Sequence, residues 1–245
     1  ADLLVLQLRF RELPDSDMKH IVDYVEAGKP LIGIRTSTHA FNYSNDTESK
    51  YKHWTWTDKT WPGGFGKQIL GETWVAHHGH HGKEATRGLV ASKHIVTNGV
   101  GVCFGRTDVY SINELPEDAT VILNGEVVAG MNPDDSKVEG SKNDPMHPVA
   151  WLRNRVVSED VTQRIFVTTM GSALDWMDED LRRLFVQSAL WCLKDESTIE
   201  AGGLKMPAVT EYAPTPFGFG GAKLGYKPED YRNGSPWLKE SNNEQ

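Results

Sequence analysis

The apolar positions of the chain change their period several times, and each change marks a predicted element. Residues 1–8 form a near-continuous apolar run of the kind a buried strand shows. After Pro14 and Asp15 the spacing becomes helical. Met18, Ile21, Val22 and Val25 share one face of a helix predicted over 17–26, and Gly28 stands where a helix stop belongs. Residues 30–34 are again short and apolar, as in an inner parallel strand. Strand, helix and strand in direct succession predict one βαβ unit with a right-handed crossover.

Beyond this unit the pattern weakens. Residues 42–67 mix Tyr43, Tyr51, His53, Trp54, Trp56 and Trp61 with small and charged residues, which reads as loop with short helical pieces. Runs at 72–77 and 86–91 flank Gly79-His80-His81-Gly82 and predict a hairpin. Runs at 121–123 and 126–129 flank Asn124-Gly125, the strongest short hairpin signal in the chain. Two further strands are predicted at 148–152 and 164–169. A helix follows over 178–194, with Asp178 as N-cap and Leu181, Leu184, Phe185, Ser188, Ala189 and Cys192 on one face. From Gly202 onward, proline, glycine and aromatics exclude a helix or an inner strand. The chain therefore divides into an α/β domain over 1–201 and an extended tail over 202–245. The tail is expected to wrap the domain on Phe217, Phe219, Tyr226, Tyr231 and Trp237, or else to run as a linker.

Composition changes little, since 38% hydrophobic and 24% charged residues are ordinary for a globular domain. The net charge of −8 does change the picture, because such a surface repels a phosphate backbone and argues against nucleic acid as a partner. No apolar run approaches the ~20 residues that span a bilayer. Cys103 lies in an apolar run and Cys192 on a helical stripe, so both are predicted to be buried free thiols.

The chemistry concentrates in two places. Gly33-Ile34-Arg35-Thr36-Ser37-Thr38-His39 follows a buried strand and turns toward a helix, the geometry that presents a nucleophile in other α/β folds. Arg35 holds the nucleophile position here and Ser37 that of the second glycine. Acyl-enzyme chemistry is therefore not expected. A guanidinium at this point either holds an anion, an oxyanion or a sugar hydroxyl, or pairs with a buried carboxylate.

The second place is His77-His78-Gly79-His80-His81. On a strand, His78 and His80 would share a face and reach one metal ion such as zinc, with Asp108 or His39 as third ligand. Alternatively these histidines bind hydroxyls and move protons, or are structural. Trp54, Trp56, Trp61 and Tyr51 form either a sugar-stacking platform or the local core of a loop. Asp175, just past a strand end, is either a cap or a pocket acid.

The run Tyr24-Val25-Glu26-Ala27-Gly28-Lys29-Pro30-Leu31-Ile32-Gly33-Ile34 resembles the elbow strand of the trehalose-utilisation (ThuA-like) family. Gly79-His80-His81-Gly82, His147-Pro148-Val149-Ala150-Trp151 and Thr168-Thr169-Met170-Gly171 resemble its later blocks in the same order, and residues 214–227 resemble the ending of its secreted planctomycete-type members. The chain departs from the family at Arg35, where histidine is frequent, and at Ser172 after Gly171, where the family often has Gly-His.

The resemblance implies a three-layer α/β sandwich with a mostly parallel sheet, class I glutamine amidotransferase-like or flavodoxin-like, with β-hairpin insertions. It also implies a missing first strand and helix before Ala1, hence an open slot between the strands at 1–8 and 30–34. An extracytoplasmic or periplasmic location follows, a cytoplasmic one being the alternative. The implied function is carbohydrate processing: a small sugar or keto-sugar ligand, isomerised or hydrolysed without a cysteine nucleophile. Arg35, His39, His78, His81 and Asp108 are the catalytic candidates, and Thr36, Ser37, Trp54, His80, Arg87 and Asp175 the binding candidates. The alternatives are a non-catalytic sugar-binding or assembly module and a metal-dependent hydrolase using the histidines at 77–81; a homo-oligomer is compatible with each reading.

Overall fold

The first elements follow the apolar pattern closely. In the computed structural model, which describes residues 1–206, 212–216, 218, 225 and 227–231, strand β1 spans Leu4–Leu6, helix α1 Asp15–Glu26 and strand β2 Leu31–Ile34. Helix α1 buries Met18, Val22 and Val25. It closes with Gly28 N donating to Val25 O and Lys29 N to Tyr24 O, the paired bonds of a Schellman motif, with Gly28 at φ +67°. β1 and β2 then pair directly and in parallel, Leu4 opposite Leu31 and Leu6 opposite Gly33. The open slot expected between them does not exist, and the register that the resemblance implied is corrected accordingly.

Five more strands complete one sheet: β3 (Thr86–Val90), β4 (Cys103–Gly105), β5 (Ala119–Val127), β6 (His147–Ser158) and β7 (Val161–Thr168), in the order β1-β2-β7-β6-β5-β3-β4. Only the β1–β2 and β2–β7 pairings are parallel; the other four are antiparallel. The sheet is therefore mixed rather than mostly parallel. Its cause is the β6–β7 hairpin, which returns at Glu159-Asp160 and leaves β7 parallel to β2. Among the described residues the helical layers reduce to α1 and α2 (Glu179–Cys192), with short 3-10 and π turns elsewhere. Asp178 caps α2 as expected, its Oδ1 accepting from Leu181 N at 2.8 Å.

Both predicted local hairpins fail, each for a physical reason. β5 runs straight through Asn124-Gly125. A Cβ at Gly125 would lie 2.4 Å from Val149 Cγ1 and 3.1 Å from Val109 Cγ2, so this glycine answers a close approach across the sheet and not a turn. Residues 72–77 form no strand with β3. They lie along 109–111 instead, with Ser111 N donating to Ala76 O at 2.9 Å and His77 bridging Tyr110.

Alternation along the central strands supplies one core to each face. Leu31, Ile165, Val167 and Trp151 meet α1 and the aromatic residues of 41–70, whereas Ile32, Phe166, Leu152 and Ile122 meet α2. The described chain forms two units, 1–214 and 215–245. In the second, a 3-10 turn occupies Pro228–Tyr231. The side chains expected to anchor the tail, Phe217, Phe219, Tyr226, Tyr231 and Trp237, lie outside what is described.

Because Gly125 lacks a positive φ and faces the β-branched, fully buried Val149, Gly125→Ala is expected to overpack the sheet. The expected loss is ~1–3 kcal/mol, read as a lowered urea midpoint. An unchanged midpoint would return Gly125 to a purely conformational role.

Candidate functional site

The parallel strands β1, β2 and β7 deliver their carboxyl ends to one edge of the sheet, where a ligand site in an open α/β sheet is expected. β2 stops at Ile34 and passes without a linker into a 3-10 turn, Arg35–His39. Arg35 takes φ +43°, a conformation that an L side chain rarely holds without compensation. The turn is tied back to β1 by Ser37, whose Oγ donates to Leu6 O at 2.8 Å and accepts from Leu8 N at 3.2 Å. Thr38 Oγ1 lies 3.2 Å from His39 Nδ1.

Of the two uses open to Arg35, the geometry shows the ion pair. Nη2 donates to Asp108 Oδ1 at 3.0 Å, Nη1 to Thr169 O at 2.7 Å and to Asp108 O at 3.3 Å, and the guanidinium lies 4.4 Å above the centre of the Tyr110 ring. Its donors point into the protein.

Asp108 is the hub. Its side chain is fully buried, yet its carboxylate also meets His77 Nδ1 at 2.5 Å through Oδ2 and His81 Nδ1 at 3.0 Å through Oδ1. Burial pushes its pKa up, but the Arg35 charge and the two imidazole contacts outweigh that, and it stays below the usual carboxylate value.

The two imidazoles reach Asp108 because the loop curls over it. His78 N and Gly79 N both donate to Val109 O, at 2.9 and 3.2 Å. A Cβ at Gly79 would stand 3.2 Å from Asp108 Cβ, so glycine lets the loop close. The expectation that His78 and His80 act together is therefore corrected. Residues 77–81 turn rather than extend, so the pair is His77 and His81, whose rings lie 5.3 Å apart. His78 packs on His147 at 4.4 Å with Nε2 2.9 Å from Lys142 O, and His80 faces Glu84.

An aromatic wall continues from the pair. Trp74 lies 5.5 Å from both His77 and His39, and Tyr110 5.5 Å from His77. Trp56 and Phe10 close the wall behind His39. The indole N–H of Trp74 is buried and donates to none of the described residues.

Other sequence candidates stand elsewhere. Trp54 is core, 3% exposed and stacked on Phe65 at 5.4 Å, so the proposed sugar platform does not form around it. Arg87 is held by Glu126 and the Pro133 carbonyl. Asp175 takes its bland reading: Oδ2 accepts from Gly171 N, Ser172 N and Thr107 Oγ1, which fixes the loop after β7. Thr36 is half-buried on the turn. Sequence reasoning missed His77 as a partner of Asp108, as well as Trp74 and Tyr110. Histidines four apart around a glycine were the available signal. Burial pushes the Cys192 thiol up to about 12 and the Cys103 thiol up as well, and neither sits at the turn.

Fold and site together define a mixed α/β protein whose candidate centre is a buried carboxylate shared by one guanidinium and two imidazoles. The profile of the trehalose utilisation (ThuA) family matches residues 2–192, and the chain belongs to that family. Among solved structures it is similar to a ThuA-like protein from Bacteroides uniformis ATCC 8492, at 14% identity and a TM-score of 0.48, over 78% of this chain and 69% of that one. No curated protein matches the chain.

His39 gives this site a measurable signature. It is 3% exposed, and burial, then the charges of Arg9, Arg35 and His77, lower its pKa from 6.5 to about 3. The unfolded chain therefore takes up a proton below the ordinary histidine value that the folded chain refuses. This stability is present above ~6.5 and is lost as pH falls toward 3. In that window the wild type should lose up to ~1.4 kcal/mol per pH unit more than His39→Gln, measured by chemical denaturation. Parallel slopes would show that His39 protonates freely in the fold.

Proposed function

We propose that the chain binds and processes a small carbohydrate, a sugar or oxidised sugar derivative, at the His77–His81–Asp108 centre, without a thiol nucleophile. The observation that carries this reading is the pair of half-exposed imidazoles, 43% and 44% accessible, turned onto one buried carboxylate beside an aromatic wall. Sugars present an apolar face and a polar rim. Trp74, half-buried beside His77, offers a flat ring for the one, and the His77 and His81 imidazoles offer polar edges for the other. The description of the family, trehalose utilisation, supports the same substrate class.

Arg35 belongs to this centre as a holder of Asp108, since its donors are already committed inside the protein. The strained turn that carries it has the position of a nucleophile elbow. We read it as the inheritance of an amidotransferase-like sheet whose turn now positions a carboxylate.

The test is a tryptophan-fluorescence titration with trehalose and other disaccharides. Binding should quench the signal, and His77→Ala and His81→Ala should each weaken affinity ~3–10-fold, the value of one hydrogen bond. His80→Ala, at an exposed residue that faces Glu84, should change nothing. Failure of every sugar to titrate, or equal affinity in the double variant His77→Ala/His81→Ala, would remove the reading.

A further inference from the structure

The three side chains of the centre are also a ligand set. One donor atom from each of His77, His81 and Asp108 lies within 4.8 Å of the others. Metal–nitrogen and metal–oxygen bonds of ~2.0–2.2 Å in a tetrahedral zinc site place such atoms ~3.3 Å apart. The His81–Asp108 contact of 3.0 Å is already close to that spacing, and the His77–Asp108 contact of 2.5 Å needs a retreat of under an ångström.

Three features distinguish this arrangement from a chance cluster. First, Asp108 is already paired with Arg35, so its charge needs no histidine, yet two half-exposed rings that water could serve are turned onto it. Second, the ring positions are set by the backbone. The Val109 carbonyl takes both loop amides and Gly79 permits the close approach, so the donors are held before any ion arrives. Third, Arg35 holds Asp108 through Oδ1, which it shares with His81, and leaves Oδ2 to His77, so the carboxylate has the outer support that ligating carboxylates usually have.

We propose that His77, His81 and Asp108 bind one divalent transition-metal ion such as zinc, with open coordination positions facing the carbohydrate. Two imidazoles and a carboxylate suit zinc or iron(II) and leave room for ligand oxygens. The ion would meet a hydroxyl or carbonyl oxygen of the sugar on the accessible side, where His77 and His81 are exposed and Asp108 is not. This rests on the carbohydrate reading of the same centre.

The experiment uses the full chain, stripped with a chelator and titrated calorimetrically with Zn2+, then with Co2+ for its visible spectrum. One ion per chain is expected, with a thermal melting point raised by the ion. His77→Ala and His81→Ala should each weaken Zn2+ binding at least ~10-fold and abolish the melting shift, while His80→Ala should retain both. Circular dichroism and the melting point of the metal-free variants check that they fold. Should either variant fail to fold, His81→Gln, which keeps a polar group, takes its place with the same expected loss.

Less than one ion per chain, or unchanged affinity in the folded double variant, would overturn the proposal. Repeating the sugar titration on stripped and loaded protein separates the two readings. Equal sugar affinity in both sinks the contact between ion and sugar and leaves the carbohydrate site standing. Tight metal binding with no sugar response keeps the metal and sinks the carbohydrate.

Discussion

The arrangement depends on one buried charge. Asp108 has no solvent exposure, and an ionised carboxylate in such a place is sustained only by a partner in good geometry. Arg35 is that partner, and it is itself fixed by the Thr169 carbonyl at the end of β7 and by the Tyr110 ring. One guanidinium therefore joins three separate pieces of chain: the turn after β2, the segment 107–110 and the end of β7. Ion pairs of this kind add little net stability, but removing one partner costs ~3–5 kcal/mol because the other is left buried and alone. Their contribution is to specify which loops meet, and here the loops that meet carry the candidate site.

The same constraint explains the backbone of the turn. A positive φ at a non-glycine residue costs of order ~1–3 kcal/mol, and glycine would remove that cost. Glycine would also remove the guanidinium. Strain at Arg35 is thus the local expense of a long-range contact 73 residues away in sequence. Ser37 offsets part of it by binding both Leu6 O and Leu8 N, which locks the turn against β1.

How far the sequence disclosed this follows from the range of each signal. Helices α1 and α2 were legible to within two residues because their apolar spacing, caps and stops are local. Strand β2 and the turn at Arg35 were legible for the same reason, whereas Asp108 was a candidate by residue type and by the family resemblance rather than by any local spacing. The pairing of β1 with β2 and the mixed sheet were not, because strand order is decided by which faces bury one another across the molecule. Asn124-Gly125 carries a local turn signal, but Gly125 is set by Val149 in the neighbouring strand. Trp54 sits in a polar-looking stretch and is core, since its partners Phe41 and Phe65 are brought in by the loop path. The histidine pairing was misread because strand alternation was assumed where a turn exists. In a turn that closes on Gly79, the residues that converge are four apart rather than two.

Charge at the centre connects the two proposals physically. The charges of Asp108 and Arg35 cancel within the pair, so the centre offers polar atoms around a neutralised ion pair, which suits an uncharged sugar. A divalent ion would place two positive charges beside a guanidinium that cannot deprotonate, in a site where charges are poorly screened. Such an ion is held best when an electron-rich oxygen completes its coordination on the open side. Sugar hydroxyls and carbonyls supply that oxygen, and the ion in turn polarises them. Ion and sugar would then bind with positive coupling, each raising the affinity of the other by the same factor, as linkage requires. Arg35 would be the source of that coupling, because its fixed charge makes the ion's binding without the sugar less favourable than its binding with it.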